Sequence, residues 1–539
     1  MFMKSINKII VILLFAAAIA GCKKNFLDRP SNSQISSNNF YQTTSDLRLA
    51  TASLYAGAEW WQWNRSAMLP LGDVLAGTGN FQYSNDLVQL FTRTITAQNS
   101  YVSGTWTGLY SIIAQCNTVI SAIQQQAPAT IPSADKNAAL GEARFVRAVA
   151  YFYLAMYYGA VPIIEDNSKL IENPLLYRNI TSDVYKFAAK DLTFATRYLP
   201  ATDTKGRVTT WSAQGMLGKV YLTMAGLGKS GGVRDQALLD SAKKYAGNVC
   251  KNSGLELFGQ NDPNHRGYYD LFRPQNNDAP EMLFALQWAP GVGYGNGNDL
   301  QTWYAPASDF LPSKQGGWQS LAPTYDLYRM YSADDTIRRK ATIMLNGDFY
   351  PELNQAAGGY KATGTGMKKH VIGNEKDNNS PTMDTWSDIE HDPVLRLADV
   401  YLIYAEAILG NSTTTSDPTA LTYFNKVRTR AGLKPVTSFN ITTLRVERRV
   451  ELAYEGQYWL DLVRYSYYDP TNAVKVLNDQ DATYGRVSFS YDPKTRTATR
   501  DTTKLPSTLP ATINSFTLPI PASELTSDPK LTAPPVPYY

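Results

Sequence analysis

Apolar residues recur every three or four positions along most of the chain, the spacing that lines one face of an α-helix. Leu109, Ile112, Ile113, Cys116, Ile120 and Ile123 define such a face and predict a helix over Thr105–Gln126. Lys136–Tyr158 is apolar nearly all round (Phe145, Val146, Val149, Phe152, Tyr153, Met156), the mark of a helix enclosed by others. Gly159 suits its left-handed cap and Pro162 stops any continuation. Earlier, Ser45 or Asp46 is a candidate cap for a run containing Leu47 and Leu54. Further helices are predicted at Thr181–Tyr198, Trp211–Met224, Gln236–Asn252, Leu395–Ile408, Ala420–Ala431 and Leu444–Tyr465. Helices arriving in pairs across short turns suggest stacked hairpins of the tetratricopeptide type, although no strict 34-residue repeat is visible.

Two stretches break the pattern. Ile9 to Ala20 is an uncharged apolar run behind Lys4 and Lys8, long enough for a signal-peptide core but short of the roughly 20 residues that span a bilayer. It ends in Ile19-Ala20-Gly21-Cys22, which resembles a bacterial lipobox and marks Cys22 as the lipid-attachment residue. Leu255 to Asp392 is rich in Gly, Asn, Asp, Pro and aromatics. Its Gly291-Val292-Gly293-Tyr294-Gly295-Asn296-Gly297-Asn298 run cannot be regular helix, since each glycine costs about 1 kcal/mol against alanine. Loops of this length inside a compact protein usually carry function. The expected division is therefore a leader (1–21) and a mature chain (22–539), with helical (22–254), loop-rich (255–392) and helical (393–539) portions, the last wrapping the body after Asp469.

Lys4 and Lys8 supply two of the four net positive charges, so the mature chain is close to neutral. No clustered Lys and Arg footprint for nucleic acid remains. Besides Cys22 there are Cys116 and Cys250, both in helical patterns, and no disulfide framework is implied. Tyrosine stands out, with 35 Tyr against 19 Phe, and it suits wet binding surfaces because a flat apolar face carries a hydroxyl.

Catalytic chemistry finds little support. Glu447, Glu451 and Glu455 share one helical stripe, but Arg448, Arg449 and Arg464 are interleaved, and Arg144 and Arg147 sit on another apolar helix. Arginine partners keep carboxylates ionised, the wrong direction for a general acid, so structural ion pairs between helices are expected. His265, His370 and His391 fit no helical zinc spacing and read as surface loop residues. Neither Asp278 nor Asp299 belongs to a calcium-loop spacing, and the glycine run lacks the Lys-Ser/Thr of a phosphate loop. No metal or cofactor is implied.

Several blocks together resemble the SusD/RagB family of surface lipoproteins. They begin with Phe26-Leu27-Asp28, Pro30, Phe40-Tyr41 and Asp46-Leu47. Glu142-Ala143-Arg144-Phe145-Val146-Arg147-Ala148 then runs into Tyr157-Tyr158-Gly159-Ala160-Val161-Pro162. Arg396-Leu397-Ala398-Asp399-Val400-Tyr401-Leu402, Asn425-Lys426-Val427-Arg428, Glu447-Arg448-Arg449-Val450-Glu451-Leu452, Asp461-Leu462-Val463-Arg464 and Leu518-Pro519-Ile520-Pro521 follow in order. Tyr458, where the family often has arginine, and the ending Pro534 to Tyr539 depart from it. The resemblance implies a mainly α fold, a tetratricopeptide-like helical-hairpin scaffold with a long irregular loop-rich insertion. It also implies an outer-membrane, lipid-anchored protein facing the cell exterior, partnered by a SusC-like TonB-dependent transporter, that captures a glycan or sometimes a peptide.

A sugar ring presents C–H bonds on its faces and hydroxyls at its edge, so it calls for exposed aromatics with amide and carboxylate neighbours. The richest concentration is Trp288, Tyr294, Trp303, Tyr304 and Trp318, interleaved with Asn296, Asn298 and Asp299. The resemblance favours part of the ligand surface on an early loop, with Asp73, Asn80 and Tyr83 as candidates, whereas Trp60 and Trp61 are expected to pack in the early helix. Non-catalytic glycan capture, peptide capture and a secreted glycan hydrolase using Glu451 are the readings that stand.

Overall fold

A computed structural model describes residues 40–55, 57–80, 84–481, 485–503 and 508–539; the leader, Cys22 and Tyr83 lie outside them. The fold is mainly α, with only short strands between the helices. Early helices α1 (Thr44–Ala52), α2 (Ala58–Trp63) and α3 (Asn85–Thr92) precede the long α4 (Ser100–Gln126) and α5 (Ser133–Tyr158). Then come α6 (Thr181–Tyr198), α7 (Thr210–Met224) and α8 (Gln236–Asn252) and, beyond the irregular region, α9 (Leu397–Leu409), α10 (Pro418–Arg430), α11 (Ile441–Glu451) and α12 (Gln457–Ser466). Each of α4 to α9 packs on the next, so the helices stack as consecutive hairpins in which every pair covers its neighbour's apolar face. Nearly all of α5 from Ala139 onward is buried, as its all-round apolar pattern requires.

Local chemistry starts these helices. Thr43 caps α1 in a reciprocal box with Asp46, two residues before Ser45. Asn99, Asp235, Asp417 and Asn440 cap α4, α8, α10 and α11 through side-chain oxygens. The chain's last segment returns to the helices, with Leu518 N–H on the Tyr157 carbonyl and Val536 N–H on that of Arg178. Cys116 and Cys250 are free thiols.

Two expectations change. Leu395 opens no helix: Asp392–Arg396 is a fully buried strand, β2, antiparallel to β1 (Met282–Leu286). A strand buried on both faces shows no alternation, so periodicity cannot separate it from a buried helix. β1 drives Phe284 into the helical core, edge-on to Trp60 and Phe145. The single helix expected over Leu444–Tyr465 is broken between α11 and α12, where Tyr454 and Gly456 take φ of 60° and 67°. The cause is tertiary. Gly72 lies against Gly456, so close that a Cβ on Gly72 would sit 2.3 Å from the Gly456 Cα. The neighbouring Asp73 carboxylate accepts the Tyr454 and Gly456 N–H groups, both at 3.3 Å.

The carboxylates of the Glu447–Glu455 stripe are buried in ion pairs. Glu281 receives Arg396 and Arg430, each at 2.6 Å. Glu451 meets Arg396, Arg430 and Arg338. Glu455 receives Arg396 at 2.7 Å and Lys369 at 2.8 Å, and Glu447 receives Arg338 at 2.6 Å and Arg428 at 2.8 Å. Burial alone would push the Glu451 carboxyl up, but its three arginines hold it below the ordinary range. On α5, Arg147 pairs with Asp191 at 2.7 Å.

Removing one partner strands a buried charge. Glu451→Gln should lower the unfolding free energy by about 3–5 kcal/mol in urea titration. A second expectation concerns pH. Burial raises the Asp73 carboxyl to about 7, above its unfolded 3.8, so the folded state binds this proton more tightly. Its contribution to stability is present below the unfolded value and lost as pH rises through about 7. Between pH 8 and 5.5 the native protein should gain about 2 kcal/mol from this group, and Asp73→Asn should lack that increment in urea unfolding at the two pH values.

Candidate functional site

The irregular region gathers aromatic rings at the surface. Asp299 precedes a helical turn, Leu300–Tyr304, that carries Trp303. The chain then folds back along this turn: Gly317 N–H donates to the Thr302 carbonyl at 2.8 Å and Ser320 N–H to that of Trp303 at 2.9 Å. Gly317, at φ 69°, permits the approach, since a Cβ there would lie 2.3 Å from the Ala307 carbonyl carbon. Trp318 is thereby set beside Trp303, ring centres 4.7 Å apart.

The glycine-rich run is laced to residues 384–388. Ser387 Oγ accepts the Gly291 and Gly293 N–H groups at 2.9 and 3.3 Å, and Asp388 N–H donates to the Asn298 carbonyl at 2.9 Å. This brings in Trp386, 6.1 Å from Trp303, 5.9 Å from Trp318 and 5.4 Å from Tyr294. From the early helix, Trp61 meets Tyr294 edge-on at 5.0 Å. Arg65, one helical turn later, holds its guanidinium 4.7 Å over Trp303 and 5.2 Å over both Trp61 and Tyr294, and donates to the Tyr294 hydroxyl.

These side chains form one platform of Trp303, Trp318, Trp386, Tyr294 and Trp61, faceted rather than flat because neighbouring rings are inclined 42–87° to one another, with the Arg65 cation among them. Tyr294 and Trp318 are 52% and 48% exposed, so water reaches half of each ring. Beneath it, Asp299 Oδ2 accepts the Trp303 indole N–H at 3.0 Å and fixes that ring's tilt. Burial raises the Asp299 carboxyl to about 6, against the pull of the Trp303 indole and Arg65. A separate hollow lined by Arg207, Trp211, Asp278, Gln287 and His391 shares no residue with the platform.

Burial corrects several of the expected surface positions. Trp288 is 5% exposed and gives its indole N–H to Asp392 at 2.7 Å, and Tyr304 is likewise interior. Asn298 is buried, spending its amide on the Glu390 carbonyl and Asp392. Asp73 is wholly buried beneath Tyr454 and Gly456, and Asn80 is buried with its amide on Ser488. Asp299 acts from below rather than at the surface. Asn296 is exposed on the glycine-rich run. His370 is no surface residue but a buried one, whereas His265 is exposed.

Trp61, Arg65 and Trp386 went unpredicted as platform residues. Trp61 was expected to pack within the early helix, and Arg65, just past α2, is the only Lys or Arg between Gly57 and Arg93, the one signal available. Trp386 is a lone ring in a polar stretch far along the chain, which no spacing rule connects to Trp303.

The chain belongs to the SusD family. Residues 346–539 match the family model described as SusD family, and residues 25–222 match one described as starch-binding associating with outer membrane. A SusD-like protein of Bacteroides ovatus is 37% identical across 100% of this chain and 99% of its own length. SusD-like protein P2 of Formosa agariphila is 25% identical over 84% of this chain and 90% of its own. A crystal structure solved with a xylogluco-oligosaccharide shares 35% identity and a TM-score of 0.82, covering 92% of this chain and 99% of that one. A laminarin-binding SusD-like protein shares the fold at 22% identity and a TM-score of 0.67, over 90% and 98%.

Interior and surface tryptophans should separate in a stability measurement. Trp288→Ala is expected to cost about 3–5 kcal/mol of unfolding free energy, as core Trp truncations do. Trp318→Ala, half in water, is expected to cost less than about 1 kcal/mol.

Proposed function

We propose that this chain captures an oligosaccharide on the Trp303–Trp318–Trp386 platform and does no chemistry on it. The carrying observation is three indoles within 4.7–6.1 Å of one another on one surface, two of them also close to Arg65 or Tyr294. Indole faces cover the C–H faces of pyranose rings, while the Arg65 guanidinium and the Tyr294 hydroxyl can serve hydroxyls at the ring edge. Several rings side by side suit an extended glucan better than one sugar. The relative solved with a xylogluco-oligosaccharide favours a xyloglucan-type ligand as the first to try.

The same reading takes the protein as an outer-membrane lipoprotein anchored through Cys22, facing the exterior and handing its ligand to a SusC-like TonB-dependent transporter. The lipobox and the family support it. The absence of catalysis is supported by Glu447, Glu451 and Glu455 being locked in interior ion pairs, so the hydrolase reading loses its best acid. Peptide capture remains the second reading.

Isothermal calorimetry with xylogluco-oligosaccharides, laminari-oligosaccharides and a mixed peptide set separates these outcomes. A xylogluco-oligosaccharide should bind and be recovered intact. Trp303→Ala, Trp318→Ala and Trp386→Ala should each weaken it by about 30-fold, the roughly 2 kcal/mol of a binding hot spot, with unchanged Tm for Trp318→Ala. Full affinity in all three variants, or binding of peptides alone, would sink the proposal.

A further inference from the structure

His370, Glu390 and Asp392 meet in the interior, where one ligand atom from each lies within 4.8 Å of the others. His370 Nδ1 stands 3.2 Å from Glu390 Oε2 and 3.3 Å from Asp392 Oδ1. Its other nitrogen, Nε2, lies 2.7 Å from the Tyr454 carbonyl, so Nε2–H donates there. That bond leaves Nδ1 facing the carboxylates, as a lone-pair donor to a bound metal or, without one, as a second N–H, and an Nε2–H anchored on a carbonyl is the outer-shell arrangement typical of a metal-bound imidazole.

The carboxylates are held in the same manner. Asp392 Oδ2 accepts three hydrogen bonds, from Asn64 Nδ2 and Trp288 Nε1 at 2.7 Å and from Asn298 Nδ2 at 3.1 Å. Its Oδ1, facing His370, is buried and accepts none. Asp388, close behind, accepts the Glu390 N–H through Oδ1 and leaves a buried Oδ2 without a donor. Among the described residues, no Lys or Arg forms an ion pair with Asp388, Glu390 or Asp392, whereas Glu281, Glu451 and Glu455 are all matched to arginines. Two interior carboxylates facing one imidazole, with Asp388 beside them, form an acidic cluster without a Lys or Arg partner, and a buried charge is costly unless it is paired.

Donors of a tetrahedral site with bonds of about 2.0–2.1 Å lie roughly 3.3–3.4 Å apart, a spacing that the 3.2 and 3.3 Å edges from His370 Nδ1 fit. We infer that His370, Glu390 and Asp392 form a buried structural site for a divalent transition-metal ion of the zinc type. A nitrogen donor and only two carboxylates argue against calcium, which takes six to eight oxygens.

The ion would join segments that are otherwise far apart in the chain: His370 from the irregular region, β2, and through Tyr454 the break between α11 and α12. It would also brace the aromatic platform. Asn64 and Asn298, which hold Asp392, immediately precede Arg65 and Asp299, which hold Trp303. The inference is independent of which ligand that platform takes.

Metal content of the purified full-length mature chain, grown in zinc-replete medium and dialysed, tests it by elemental mass spectrometry. About one equivalent per chain is expected, with loss of at least tenfold in Glu390→Gln and His370→Gln. Native protein stripped by chelator in mild denaturant and refolded should regain several degrees of Tm on adding Zn²⁺, and Co²⁺ should give the visible absorption of a tetrahedral site. The wild-type measurements decide even if the variants fail to fold. Wild type without metal, with no Tm response to Zn²⁺ or Co²⁺, would overturn the inference. So would ¹⁵N NMR showing both His370 nitrogens protonated.

Discussion

A buried web of guanidinium and carboxylate groups ties the irregular middle of the chain to its helices. Glu281 precedes β1, Arg338 and Lys369 lie further along the same irregular region, and Arg396, Arg430, Glu451 and Glu455 come from β2, α10 and the α11 end. Such pairs add little net energy over a well-packed apolar core, because desolvation offsets attraction. Their force is conditional: once one member is buried, every other must be present and in place. Long loops with few helical contacts thereby acquire a single arrangement on the stacked hairpins.

That anchoring is what lets an irregular segment present flat rings to solvent. A helix or strand facing water would spread its aromatics by a fixed period, and most would turn inward. Here the turn carrying Trp303, the returning segment with Trp318 and the loop with Trp386 come from separate places in the sequence and converge. Close backbone approaches make the convergence possible. A Cβ on Gly297 would lie 2.3 Å from the Ser387 Cβ, so only glycine lets the 291–298 run lie against residues 384–388. Asp299 and Arg65 both hold Trp303 in place, which limits the entropy a ligand must remove on binding.

Interior and exterior share one polar framework. The carboxylate that accepts the Trp288 indole belongs to the His370 cluster, and the amide of Asn298 reaches it from beside Asp299. Residues that look like a binding set in the sequence, Trp288, Asn298 and Asp299, instead support the ring that does face solvent. Polar side chains interleaved with tryptophans arise equally from ligand contact and from the need to satisfy buried indole N–H groups.

The helical scaffold was legible residue by residue. The periodic spacing of Leu109 to Ile123, the all-apolar α5 and the Gly159 stop are local interactions, and α6 and α8 run over the very residues the pattern marks, whereas the cap expected at Ser45 or Asp46 is Thr43. That Glu451 is ion-paired rather than catalytic was also expected, but its partners, Arg338, Arg396 and Arg430, are not the arginines interleaved with it in the sequence. Contacts between distant segments decided the rest. Asp392–Arg396 became a strand because Met282–Leu286 offered it a partner, and Leu444–Tyr465 broke because Gly72 and Asp73 pressed on it. Which tryptophans see water, and whether His370 meets two carboxylates, depend on chain segments that lie close in space but far apart in sequence. Helix periodicity and capping act within a few residues, so one sequence displays them; burial, ion matching and ligand geometry are set by neighbours that only the folded chain supplies.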